Sequence, residues 1–374
     1  MEHQPHILIL SCSTGEGHNS AAWALHEAFE RRGAAVEVVD PVGLKSQKAG
    51  RTVAALYNNT IKKAPLAFGA VYHLGAAYSA TRIPSPVYWA NAKCAPVLRD
   101  HIRENGIDAV VCTHLYGMEA MAAARKRLGV TTPWYSVMTD YTCIPFTTEP
   151  KADALFSPHP ALTAEIIRKG GDPDRIIPYG IPVSARFSQP IDKADARRQL
   201  DIPPDKPVYL IMSGGVGCEN ILRLCDAMNA ESRGYLCYVL TGHNDDLLQK
   251  LERRYGEGGK IRPVGFTRQV HLYMKAADVM ISKSGGLSST EAAVAGVPLI
   301  HFKPIPGCES KNRDFFRAHG MALSVKNNAD AVKMAGYLAR HTDRAAQMLA
   351  AQKATLNPHA ADDIVRHVLQ GVTS

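Results

Sequence analysis

The chain has 374 residues, 46% hydrophobic and 21% charged, with a formal net charge of +8. That length predicts two domains, each able to bury its own core, and the composition is that of an ordinary globular protein. No window approaches the roughly 20 continuous apolar residues that a membrane span needs, and the start Met1-Glu2-His3-Gln4-Pro5 has no basic region ahead of an apolar core, so no signal peptide is expected.

The first segment reads as strand, loop and helix. His6–Leu10 is an apolar run, Ser11–His18 is small and polar, and Asn19–Arg32 has helical periodicity through Ala22, Leu25, Ala28 and Phe29. Val36–Val39 is the next strand. Between Asp40 and Asp100 no acidic residue occurs, while Lys45, Lys48, Arg51, Lys62, Lys63, Arg82, Lys93 and Arg99 are basic. Tyr57, Phe68, Tyr72, Tyr78, Tyr88 and Trp89 are interleaved with them. Ammonium and guanidinium groups mixed with aromatic rings suit an anionic lipid surface, with Lys62, Lys63, Phe68 and Tyr72 as the expected contacts. A nucleic-acid patch or a solvated helical face are the other readings of such a stretch, and no nucleic-acid partner is expected.

Apolar runs recur at Ala109–Cys112, Trp134–Met138 and Ala154–Ser157, separated by helical stretches. Alternating strands and helices predict a parallel sheet covered by helices. The polar, Pro-containing stretch 183–206 reads as a connection, after which the pattern restarts. Val208–Met212 is followed by Ser213-Gly214-Gly215-Val216-Gly217, and further strands are expected at Tyr235–Leu240, Ile261–Val264, Val279–Ile281 and Pro298–Phe302. The tail from Asp330 to Leu369 reads as two or three helices. The expected division is therefore an N-terminal domain 1–182, a connection 183–206, and a C-terminal domain 207–374 that includes those helices. Eight scattered cysteines without a CxxC pair read as reduced thiols of a cytosolic protein.

Four segments carry chemistry. Ser13-Thr14-Gly15-Glu16-Gly17-His18 opens the first helix; its glycines permit close backbone approach, and a histidine near pKa 6.5 is a usable base at neutral pH. Ser282-Lys283-Ser284-Gly285-Gly286-Leu287-Ser288-Ser289-Thr290-Glu291 follows a strand and leads into a helix from Ser288. Its backbone amides suit a diphosphate, and Glu291 suits a ribose diol, although Ser288 and Glu291 also form a capping arrangement. Pro304–Asn312 is a fixed loop that sets Glu309 and Asn312 on a helix start, as sugar contacts or as caps. Asp140 ends a strand at the carboxyl edge, where open α/β sheets place ligands, as a base or as the orienter of one. Asp172-Pro173-Asp174 mimics an acidic metal pair but sits in turn chemistry, and the histidines show no zinc spacing, so no metal site is expected.

With these motifs the chain resembles glycosyltransferase family 28, the enzymes that make glycosyl diacylglycerols. The resemblance runs through Thr14–His18, Thr113-His114, Thr139-Asp140, Tyr179–Val183, Ser213–Gly215, Val264–Phe266, Lys283–Glu291 and Pro304–Asn312. It implies the GT-B architecture, two Rossmann-like domains facing across a cleft, and an inverting transfer without metal or other cofactor. UDP-glucose or UDP-galactose is the implied donor and diacylglycerol the acceptor, with the protein cytoplasmic and peripheral on the inner face of the cell membrane. It carries the candidate base onto His18 and donor contacts onto Gly15, Gly17, Ser213, Gly214, Gly215, Phe266, Lys283, Ser284, Gly285, Gly286, Glu291, Glu309 and Asn312. Two departures stand out: Glu16 interrupts the usual glycine run, and Cys308 stands where glutamine usually follows Pro-Gly, which leaves glucose and galactose both open. The related peptidoglycan N-acetylglucosaminyl transferase, a UDP-sugar epimerase of the same plan and a non-catalytic UDP-sugar sensor are the alternatives.

Overall fold

The computed structural model describes residues 3–12, 16–45, 74–81, 83–212, 220–256 and 258–373. Its chain divides into two compact units, Met1–Ala185 with Pro358–Ser374, and Arg186–Asn357.

The first unit is built on six parallel strands: β1 (His6–Leu10), β2 (Ala35–Val39), β3 (Ala109–Cys112), β4 (Trp134–Val137), β5 (Ala154–Phe156) and β6 (Ile176–Ile177), in the order β2-β1-β3-β4-β5-β6. Central parallel strands are covered on both faces, which is why β1 is a continuous apolar run and not an alternating one. Ile7 and Ile9 point into a core with Leu25, Phe29 and Phe156, while Leu8 and Leu10 point the other way, onto Leu98, Met121 and Trp134.

The second unit repeats the plan with β7 (Val208–Met212), β8 (Leu236–Leu240), β9 (Ile261–Val264), β10 (Val279–Ser282), β11 (Leu299–Phe302) and β12 (Leu323–Val325), in the order β12-β11-β10-β7-β8-β9. All its pairings are parallel. Tyr209, Ile211, Cys237, Val239 and Ile281 share a core with Leu224 and Met228.

In each sheet the chain first builds outward on one side of the opening strand and then returns to the other side. The reversals fall between β1 and β3, and between β7 and β10. Ligands of open α/β sheets bind beyond the carboxyl ends of the strands at such reversals. The His18 segment follows β1, and the Lys283–Gly286 segment follows β10.

The domain boundaries differ from the sequence expectation at both ends. The stretch 183–206 is not a loose connection. Helix Lys193–Gln199 is held to the second unit by Arg197, whose guanidinium donates to the Ala276 carbonyl (3.0 Å) and the Asp278 carboxylate (2.8 Å), and Lys193 also reaches Asp278 (2.6 Å). The tail forms three helices, Asn328–Arg340, Thr342–Thr355 and Ala360–Thr373. The last belongs to the first unit, where Ile364, Val365 and Val368 enter the core beside Ile7 and Ile9 and Asp362 pairs with Arg31 at 2.9 Å. Its apolar stripe is indistinguishable in sequence from one that packs on the nearer domain. Among the described residues no helix is long and apolar enough to cross a membrane.

Candidate active site

The first helix runs Glu16–Glu30, three residues earlier than its periodicity indicated, so Gly17 and His18 stand in its first turn. The ring Nδ1 of His18 lies 2.9 Å from the carbonyl oxygen of Thr113, just past β3, and 3.0 Å from Oγ1 of Thr139, just past β4. A carbonyl can only accept a hydrogen bond, so Nδ1 carries the proton and Nε2 keeps the lone pair. The Thr113 hydroxyl in turn donates to the backbone carbonyl of His18 at 3.2 Å, so the ring and its own backbone are held by one residue.

Burial pushes the His18 pKa below its ordinary 6.5; the Asp140 carboxylate and the Thr113 carbonyl oppose that shift. His114 stands edge-on to it, ring centres 4.5 Å apart, and is held well below 6.5 by burial and by His18. Both imidazoles are therefore neutral at pH 7. His18 and Asp140 line one pocket, with Thr113, Thr139, Thr142 and Thr147 as polar neighbours and Leu115, Met118, Val137, Met138 and Ile144 as apolar walls. The sequence singled out His18 and Asp140. The roles of Thr113 and Thr139 were not legible, because nothing in a single threonine signals that it will meet a ring 95 or 121 residues away.

In the second unit, β10 leads through Lys283, Ser284 and Gly285 into helix Gly286–Ala295. The helix begins two residues before the expected Ser288, and its cap is Gly285 with no side-chain cap bond, so the Ser288–Glu291 capping arrangement does not form. Uncapped first-turn amides and the helix dipole make this end a seat for an anion. A Cβ on Gly285 would sit only 3.1 Å from Oγ of Ser288. Glu291 is partly exposed, and burial of its carboxyl raises its pKa to about 8.

The Pro304–Asn312 segment comes next to this loop. Lys283 Nζ pairs with Oε1 of Glu309 at 3.0 Å, the Ile305 amide donates to Oε2 at 2.8 Å, and Ser284 Oγ donates to the Glu309 carbonyl at 2.7 Å. Asn312 is fully buried and its amide nitrogen donates to the Ser284 carbonyl at 3.0 Å, so it ties the two loops together. Phe266, just past β9, is 60% exposed and stacks on His243, just past β8, with ring centres 4.2 Å apart. Lys303, which the sequence did not single out, has a positive φ of 45° and reaches Oδ1 of Asn220 at 3.1 Å. A non-glycine residue held in that region is a local strain of the kind that clusters at ligand sites. Gly15, Ser213, Gly214, Gly215, Lys62, Lys63, Phe68 and Tyr72 lie outside the described residues.

Asp172 accepts from the Asp174 amide at 3.1 Å and pairs with Arg175 at 3.2 Å, the turn that its sequence indicates. Among the described residues, no group of three or more His, Cys, Asp or Glu side chains is placed to hold a metal ion.

Solved structures share this plan over nearly the whole chain. MurG of Acinetobacter baumannii superposes with a TM-score of 0.63 at 16% identity, covering 98% of this chain and 99% of that one. A co-structure of S. aureus MnaA with UDP gives 0.65 at 15% identity, covering 99% and 97%. The fold is thus the GT-B fold of nucleotide-sugar glycosyltransferases. Residues 18–183 match the monogalactosyldiacylglycerol (MGDG) synthase family, and residues 209–360 match the glycosyltransferase family 28 C-terminal domain. The chain belongs to glycosyltransferase family 28, with the glycosyl diacylglycerol synthases. The processive diacylglycerol beta-glucosyltransferase of Bacillus licheniformis is 25% identical over 349 residues, covering 88% of this chain and 85% of that protein.

Proposed function

We propose that this protein is an inverting glycosyltransferase that moves a hexose, glucose or galactose, from a UDP-sugar to the hydroxyl of diacylglycerol at a membrane surface, without a metal cofactor. The observation that carries this reading is His18, a neutral imidazole with its basic Nε2 set by the Thr113 contact, in a pocket with apolar walls. Such a pocket suits a hydroxyl attached to an apolar body, and the Bacillus relative's name supplies the acceptor class.

In the proposed reaction the acceptor hydroxyl attacks the anomeric carbon from the face opposite UDP. Its proton passes to His18 Nε2 as the new C–O bond forms, and the bond to the diphosphate oxygen breaks with its electron pair leaving on UDP. Asp140 favours the imidazolium that results. The charge that grows on the β-phosphate is met by the uncapped amides of helix Gly286–Ala295 and by Lys283. Glu291 accepts hydrogen bonds from the ribose diol, and Phe266 offers an exposed ring face to the base.

Membrane contact is supported by exposed apolar side chains in the first unit. Leu74 is 71% exposed, and Ile83 and Trp89 more than half exposed, with the Arg127 guanidinium 4.5 Å from the Trp89 ring centre. Apolar and aromatic groups beside a cation match the boundary between acyl chains and anionic headgroups. The surface expected is the inner face of the cell membrane.

Incubation with diacylglycerol vesicles and UDP-glucose, UDP-galactose or UDP-N-acetylglucosamine, with products read by mass, tests the reading. Hexosyl diacylglycerol from one of the first two is expected, with an anomeric configuration opposite to the donor's. Absence of any glycosylated diacylglycerol would overturn it.

A further inference from the structure

The Lys283–Glu309 contact joins two segments that the proposed reaction uses for different parts of the donor. Both partners are enclosed, with side-chain exposures of 17% and 12%, so their attraction is weakly screened. Both carboxylate oxygens of Glu309 are occupied, Oε1 by the Lys283 ammonium and Oε2 by the Ile305 amide. The backbone on either side is fixed as well: Ser284 Oγ holds the Glu309 carbonyl, and Asn312 holds the Ser284 carbonyl. As it stands, the cation beside the anion-seating helix end is committed to a carboxylate, and that carboxylate would face an incoming diphosphate of the same sign.

We propose that Lys283 and Glu309 form a displaceable pair: the donor's diphosphate takes the Lys283 ammonium, and Glu309 Oε1, released from it, becomes the acceptor for a hydroxyl of the donor's sugar. The inference rests on the donor-site reading above. A diphosphate carries more charge than a carboxylate and offers several oxygens to an ammonium with three N–H donors, so it competes well for Lys283. The Ile305 amide remains on Oε2 and keeps the carboxylate oriented after the exchange. Sugar recognition is in this way conditional on diphosphate binding.

The consequence is a gain in affinity from removing a site residue. In the wild type, UDP binding must break the pair; in Glu309→Gln it need not. Calorimetry on the full chain should show UDP binding at least threefold tighter in Glu309→Gln than in wild type, uridine binding unchanged, and sugar transfer reduced. Glu309→Met removes the same charge and should show the same tightening, which covers the case in which the glutamine variant folds poorly. In a Lys283→Met background, Glu309→Gln should no longer tighten UDP. Unchanged or weaker UDP binding in both Glu309 variants would overturn the proposal, as would equal tightening of uridine or persistence of the gain without Lys283. A wild type that fails to bind UDP would instead overturn the donor-site reading on which it rests.

Discussion

The carbonyl oxygen of Thr113 stands 2.9 Å from Nδ1 of His18, and that contact assigns the basic lone pair of the ring to Nε2. Replacing His18 with alanine should lower transfer by about 10²–10⁴-fold, the usual contribution of a general base. UDP binding should stay close to wild type, because His18 is in the other compact unit from Lys283 and Glu291. Single-turnover rates together with UDP calorimetry check this; near-normal turnover would make Asp140 the leading base.

The same site fixes a pH dependence. His18 acts as a base only when neutral, so the rate is lost as pH falls through its pKa, which burial places below 6.5. The acid limb of kcat should therefore lie below pH 6.5. Asp140→Asn removes the charge that raises this pKa, so the limb should move to still lower pH while the maximal rate drops with the weaker base. A limb that moves upward would contradict the electrostatic role of Asp140.

Glu291 makes the opposite prediction for the donor. Its carboxyl is raised to about 8 by burial, and a ribose diol donates best to the ionised form. UDP affinity should rise as pH increases toward 8, with proton release on binding at neutral pH. Calorimetry in buffers of different ionisation enthalpy measures that release. Glu291→Gln should flatten the dependence, and Glu291→Ala should weaken UDP by about 1.5–3 kcal/mol, the worth of hydrogen bonds to a charged group.

Transfer is expected to survive EDTA, since Lys283 and the helix end at Gly286 supply positive charge where a cation would otherwise be needed. Complete loss in EDTA, restored by Mg²⁺ or Mn²⁺, would show a metal site that the two units do not reveal.

Vesicle flotation checks the membrane reading. Lys62→Glu with Lys63→Glu should weaken binding to anionic vesicles markedly at low salt, since each cation near such a surface is worth roughly 1 kcal/mol. Trp89→Ser should weaken binding in a way that salt does not mimic, because it leaves the net charge unchanged. Turnover on a short-chain, detergent-dispersed acceptor should stay close to wild type in all these variants. Equal binding by every variant would overturn the membrane reading for these residues.

The strands were legible where burial on both faces left an unbroken apolar run. His6–Leu10, Ala109–Cys112 and Val208–Met212 form as read. Two of the edge strands escaped notice: Ile176–Ile177 has two residues, and in Leu323–Val325 only Val325 is buried, so neither has a pattern long enough to show a period. In the site, glycine loops and lone charged residues at strand ends gave themselves away by position. The bond from Asn312 to the Ser284 carbonyl was not legible, because an amide on a helix start looks the same whether it meets a ligand or a carbonyl across the loop. His243 went unseen because its partner Phe266 comes from a different strand end.

The packing of helix Ala360–Thr373 against the first sheet bears on how the polypeptide is made. The core around Ile7 and Ile9 lacks Ile364, Val365 and Val368 until translation has passed through all of Arg186–Asn357. At about 5–20 residues per second, the nascent amino-terminal half waits on the order of ten to thirty seconds for its last wall. During that interval Phe29, Leu25 and their neighbours are incompletely covered, which is when a chaperone would find its substrate. A fragment ending near residue 182 would remain in that condition permanently, so the first unit cannot be cut out as one continuous stretch of sequence, whereas the second, Arg186–Asn357, is continuous.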